Sequence, residues 1–117
     1  MSFKFENLIV WQKALDLSEI VNKVTKDFPK EEMYVLTSQI KRAADSVSLN
    51  IAEGSTGQSN AEFARFLGIA PRSNIEVVGC IHFAKRRNII SQENYDNIYG
   101  KCEEILVMLN SLRKSLK

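Results

Sequence analysis

The sequence predicts an all-α protein: an up-down-up-down antiparallel four-helix bundle, left-handed, with residues 1–117 forming one domain. Three observations carry this. Five glycines and two prolines in 117 residues are too few turn-formers for a sandwich or barrel that reverses every ~8–12 residues. Apolar residues recur at alternating steps of three and four in four successive stretches, the mark of buried helical stripes. The breaks between those stretches are short, so consecutive helices must run antiparallel to their neighbours. The stripes follow a period near 3.5, which gives shallow left-handed crossings. Apolar residues at 44% and charged residues at 26% describe a chain that folds, and exclude a disordered or collagen-like one. The length allows one core but no two-domain enzyme with an interdomain cleft.

The first predicted helix spans 7–27. Its stripe is Leu8, Trp11, Ala14 or Leu15, Ser18, Val21, Val24 or Thr25, and Phe28. Asn7 is its expected cap, and Pro29 ends it by biasing the preceding residue out of the helical region. The second helix spans 30–53, with Glu31 and Glu32 in a first turn that favours negative charge. Met33, Leu36, Ile40, Ala43, Val47 and Asn50 or Ile51 form its stripe, and Gly54 is expected as a left-handed terminator. After the loop STGQS, Ser59 and Glu62 make a capping box for a helix over 60–87. Its buried face is Phe63, Phe66 or Leu67, Ala70, Asn74, Val77, Ile81 and Ala84, with a kink rather than a break at Pro71. Ser91 caps the last helix, 92–114, whose stripe of Tyr95, Ile98, Cys102, Ile105, Leu109, Leu112 and Leu116 is unbroken. The first six residues and the last three are expected to be loose.

Sixteen basic and fourteen acidic residues leave a net charge of +2, so a nucleic-acid role has to come from a local patch. Residues 58–90 hold that excess, with five basic against two acidic side chains. No apolar run approaches the ~18 residues of a membrane span. The opening segment mixes acidic with apolar residues and lacks a small-residue cleavage site, so it does not read as a signal peptide. Cys80 and Cys102 form no CxxC pair and read as buried thiols of a reducing, cytoplasmic compartment.

Reactive chemistry is hard to assemble. A di-iron bundle needs a Glu-x-x-His pair on each of two helices, and the single histidine, His82, is preceded three residues earlier by Gly79. Cys80 and His82, two residues apart on a helix, point about 200° from each other and cannot share a metal comfortably. One histidine also leaves one candidate base for a nucleophile, and STGQS lacks the spacing and lysine of a phosphate loop. The expectation is no enzyme, no metal and no cofactor.

Two polar or aromatic patterns remain. Gln39, Arg42, Ser46, Asn50 and Glu53 share one edge of the second helix. They read as a solvated flank or, with Ser73 and Glu76, as a partly buried hydrogen-bond network that sets register or a subunit contact. Glu53 with Glu76 is also readable as an acid and base, with nothing else in support. Phe3, Phe5, Tyr34, Phe83 and Tyr99 exceed what a four-helix core holds, whereas Trp11 fits, and surplus aromatics favour a homo-oligomer.

The runs FENLIVWQKALDL, FPKEEMYVLTSQIKRAADSVSLNIAEGS and EFARFLGIAPRSNIEV resemble the 23S rRNA intervening-sequence proteins, a four-helix bundle family, over about residues 3–113. QIKRAADSVSLNIAEG is the densest part. The resemblance implies no established enzymatic activity. A similar fold serves as the accessory protein of diversity-generating retroelements, a pentameric ring that engages a reverse transcriptase and nucleic acid. Trp11, Phe28, Pro29, Leu36, Gln39, Arg42, Ser46, Asn50, Glu53, Gly54, Phe63, Ala70, Ser73 and Glu76 match the family pattern, and Pro71, Asn74 and Ile75 depart from it.

Two functions follow as expectations. One is a non-enzymatic oligomeric scaffold, with a pentamer favoured, that touches RNA or DNA through Lys85, Arg86, Arg87, Arg65, Arg72, Lys41 and Lys13. Five copies of a +2 chain give about +10 per ring. The other is a protein-interaction module that docks a partner such as a reverse transcriptase by an apolar edge, without nucleic acid.

Overall fold

The computed structural model describes residues 3–116. Its four α-helices are α1 Ile9–Val24, α2 Leu36–Ser55, α3 Asn60–Arg86 and α4 Gln92–Ser115, with 3-10 turns at Lys4–Asn7, Thr25–Asp27 and Lys30–Glu32. No strand occurs among the described residues. α2 packs on α1 and α3, and α4 closes the ring against α3 and α1. Side-chain pairs show the antiparallel order directly. Gln39 and Ser46 of α2 meet Glu76 and Ser73 of α3, and Asn74 and His82 of α3 meet Cys102 and Tyr95 of α4. The bundle measures 44 × 24 × 21 Å.

The core is aliphatic. Leu17, Val21, Ile40, Val47, Ile51, Leu67, Val77, Ile81, Ile98, Ile105 and Leu109 are fully buried, each large side chain contributing roughly 1.5–3 kcal/mol by leaving water. In α3 the deeper of the two alternatives is Leu67, and in α2 it is Ile51. Leu112, Leu116 and Tyr95 pack at the rim of the α4 stripe.

Several boundaries differ from the sequence expectation, each for a local reason. α1 starts at Ile9 rather than Asn7, and its cap position, Leu8, makes no side-chain hydrogen bond. Asn7 belongs to the preceding turn, which is held rather than loose. The Phe3 amide donates to Glu6 Oε1 at 2.6 Å, and Gln12 Nε2 donates to the Glu6 carbonyl at 2.9 Å. The expected loose residues Met1, Ser2 and Lys117 lie outside the described residues, while Ser115 is the last residue of α4. The α1 stripe is Val10, Ala14, Leu17, Val21 and Val24. Trp11 sits at its edge instead, its ring 4.9 Å from that of Phe5 in an edge-on contact. The α-helical part of α1 stops at Val24, where Thr25 Oγ1 donates to the Val21 and Asn22 carbonyls and a 3-10 turn follows.

α2 begins at Leu36, six residues later than expected. Between the buried Phe28 and Leu36 the chain must turn, and Val35 at φ −121°, ψ −98° is outside the helical region. Met33 is consequently exposed rather than part of a stripe. Arg87 anchors this turn from the far end of α3 by an ion pair to Glu32 at 3.1 Å.

Gly54 does not terminate α2. The helix continues to Ser55, Gly54 is buried, and no described glycine has a positive φ. The left-handed position is used elsewhere, at Asn88 (φ 58°) after α3. There the Ile89 amide donates to the Ala84 carbonyl and the Asn88 amide to the Lys85 carbonyl, a Schellman closure. Ser59 and Ser91 cap α3 and α4 by accepting from the Glu62 and Asn94 amides, each at 3.1 Å. Half of the expected box at Ser59 is missing, because the Glu62 carboxylate lies against Gly57. α3 runs through Pro71 without a break.

Candidate functional site

The α2–α3 seam opens outward into a groove of about 870 Å³. On its floor Ser73 Oγ donates to Ser46 Oγ at 2.9 Å. Asn50 Nδ2 donates to the Ser46 carbonyl and hydroxyl at 2.8 and 3.0 Å. Farther along, Gln39 Nε2 donates to Glu76 Oε2 at 3.4 Å. Five of the seven polar residues singled out above are thus linked within or across the seam. The other two are not joined to them: Arg42 donates to Ser38 Oγ at 3.0 Å, and Glu53 lines the groove without a hydrogen bond to the others. Tyr34, Val35 and Leu49 form an exposed apolar lip. Glu53 and Glu76 are both exposed, and no histidine reaches the groove.

The seven basic candidates do not form one patch. Lys13 lies on the α1–α4 side, 3.4 Å from Glu104. Lys41 is exposed on α2, on the face it shares with Asp45 and Ser48 toward α1. Arg87 is engaged by Glu32 and stacks 5.2 Å from the Phe83 ring centre. Lys85 and Arg86 are exposed in the last turn of α3. Arg65, Arg72 and Arg86 are seven and fourteen residues apart and therefore share the outward edge of α3, opposite Phe63, Leu67, Ala70, Val77 and Ile81. At 1.5 Å rise per residue, Arg65 and Arg86 stand about 31 Å apart. Arg65 and Arg72 form no ion pair among the described residues, and Arg65 lies 4.8 Å from the Phe66 ring centre.

The two halves of that edge differ. The first half adjoins the last turn of α4, whose Arg113 lies over Gly68 of α3. Sequence reasoning missed Arg113 and Lys114, since no spacing rule links them to α3. The second half carries apolar side chains before it ends at Arg86: Ile75 and Phe83 are exposed on either side of Gly79, and Tyr99 of α4 stacks on Tyr95. Tyr95 in turn contacts His82, with 3.3 Å between the hydroxyl and Nε2. Nothing lies within 4 Å of a Cβ built on Gly79.

Both cysteines are buried free thiols. Burial pushes Cys102 up to about 12, and burial together with the Glu76 charge pushes Cys80 up to about 11. Neither is a thiolate nucleophile at neutral pH. Among the described residues, no three His, Cys, Asp or Glu side chains cluster as metal ligands, and no helix is long and apolar enough to cross a membrane.

The family model described as 23S rRNA-intervening sequence protein matches residues 6–111. The chain belongs to this family. The chain is also similar to the crystal structure of a protein with unknown function from the S23 ribosomal protein family of Bacteroides thetaiotaomicron. The TM-score is 0.82 at 30% identity, covering 91% of this chain and 96% of that one. No protein of curated function matches. Neither description names a reaction. In this intervening-sequence protein five of the polar candidates gather at the α2–α3 seam and three of the basic ones on the α3 edge.

Proposed function

We propose that the protein is a non-enzymatic, self-associating helical scaffold that holds RNA or DNA by its phosphate backbone along the first half of the α3 edge. The observation that carries this reading is the placement of Arg65 and Arg72 on one exposed row, beside Arg113 and Lys114 of α4. Between Phe63 and Gln92 the only acidic residue is Glu76, and it accepts from Gln39. Charges in that arrangement track a polyanion without reading bases. Ile75 and Phe83 on the second half of the edge support self-association, because Gly79 between them leaves room for the backbone of another copy to approach. A pentamer would multiply a modest patch by avidity. The free thiols fit a reducing cytoplasm.

The test is a salt series of binding to mixed RNA and DNA oligonucleotides, with mass in solution measured on the same sample. Affinity should fall steeply with salt, and Arg65→Gln with Arg72→Gln should weaken binding and flatten that dependence. Affinity that does not change with salt overturns the reading.

The second reading is a protein-interaction module. It draws on the exposed Tyr34, Val35 and Leu49 beside the α2–α3 groove, a lip of the kind that receives a partner helix, whether from a reverse transcriptase or another protein. Leu49→Asp should then abolish partner capture with oligonucleotide binding intact.

A further inference from the structure

We propose that the hollow between the first turns of α3 and the last turn of α4 is a phosphate-binding site in which Arg113 and Lys114 grip a phosphate group. This inference rests on the nucleic-acid reading and names where the backbone would be held. The hollow measures about 690 Å³, within the range of small-ligand sites, and no carboxylate of the described residues lines it. Arg113 and Lys114 supply two positive charges, Asn60 and Asn110 supply amides, and Ala61 and Ala64 form a small apolar wall.

The Arg113 guanidinium is placed by Gly68. A Cβ built on that glycine lies 3.2 Å from Nη2, 3.3 Å from Cζ and 3.5 Å from Nη1, so the planar group covers the space where a side chain would stand. Neither Arg113 nor Lys114 forms an ion pair among the described residues. A guanidinium backed by a helix keeps its donor fork for paired oxygens, the geometry that phosphate offers. Arg65, Arg72 and this hollow lie along the same end of the α3 edge, so one strand can lie along the arginines and seat a phosphate in the hollow.

The experiment follows backbone amide NMR signals of the full chain during titration with inorganic phosphate, with adenosine monophosphate and with a short single-stranded oligonucleotide. Ala61, Ala64, Gly68 and Asn110 should shift with all three. Arg113→Gln with Lys114→Gln, both exposed, should remove those shifts and weaken the oligonucleotide roughly tenfold, with a shallower salt slope. Arg65→Gln with Arg72→Gln should weaken the oligonucleotide while sparing the adenosine monophosphate shifts. If the Arg113/Lys114 variant binds oligonucleotide like the wild type, the inference is overturned and the nucleic-acid reading stands. If phosphate and adenosine monophosphate shift these amides but the oligonucleotide does not bind, the site stands for free phosphate compounds and the nucleic-acid reading falls. No shift with any probe overturns the inference.

Discussion

Gly54 of α2 and Phe66 of α3 approach so closely that a Cβ on the glycine would lie 2.6 Å from the Phe66 Cβ and 3.0 Å from Phe63 Cδ1. The glycine is therefore a packing device that lets the two helices close at the end of the seam. Gly54→Ala gains helix propensity of about 1 kcal/mol but forces the α3 backbone away. Because Cβ atoms cannot yield as a side-chain tip can, the net effect should be destabilisation by about 1–3 kcal/mol. Urea unfolding reads this as a lower midpoint, and an unchanged midpoint would show that α3 shifts freely.

Gly79 and Gly100 are the opposite case, with nothing within 4 Å of a built Cβ. Alanine at either position should stabilise the helix by about 0.5–1 kcal/mol, a rise of roughly 2–5 °C in melting temperature. Gly79→Arg should instead lower the mass in solution while the protein stays folded, if another copy approaches there. A mass that stays the same argues against that contact.

Asn74 is buried at 1% exposure, where Nδ2 donates to the Cys102 carbonyl at 2.8 Å and Oδ1 has no partner. Asn74→Asp replaces the donor and places a carboxylate between α3 and α4. A loss of about 3 kcal/mol or more is expected at neutral pH. Burial would raise that carboxylate above its unfolded value, so the deficit should shrink as pH falls through the raised value toward the usual carboxylate range, and change no further below it. Melting the variant at neutral and acidic pH tests the sign, which would be reversed if the carboxylate found a cation.

Cys80 and Cys102 are raised from 9.0 to about 11 and about 12. The unfolded thiols ionise first, so the folded state holds more protons above pH 9. Their contribution to stability is complete below pH 9 and is lost as pH rises toward 11 or 12. The wild type should therefore lose stability with pH more steeply over that window than Cys80→Ala with Cys102→Ala. Native thiols should also react slowly with a thiol reagent at neutral pH and fully after unfolding.

The alternation of apolar residues was enough to establish four helices and the face each one buries. The short breaks between them gave the antiparallel order, because a brief connection returns the chain alongside the helix it has just left. The seam chemistry was partly legible in the same way. Gln39, Ser46 and Asn50 repeat along one edge of α2, and the structure joins them to Ser73 and Glu76 of α3. Arg42 and Glu53 repeat there too but are not joined, since repetition reports a shared face and not a bond. Gly54 read as a terminator because glycine favours left-handed backbone, yet Phe66 decides its role from another helix. Arg113 acquires its meaning from Gly68, forty-five residues away in the chain. Periodicity belongs to a single helix and can be counted along the chain. Contact between helices depends on how closely two backbones approach, and that distance exists only once the bundle has closed.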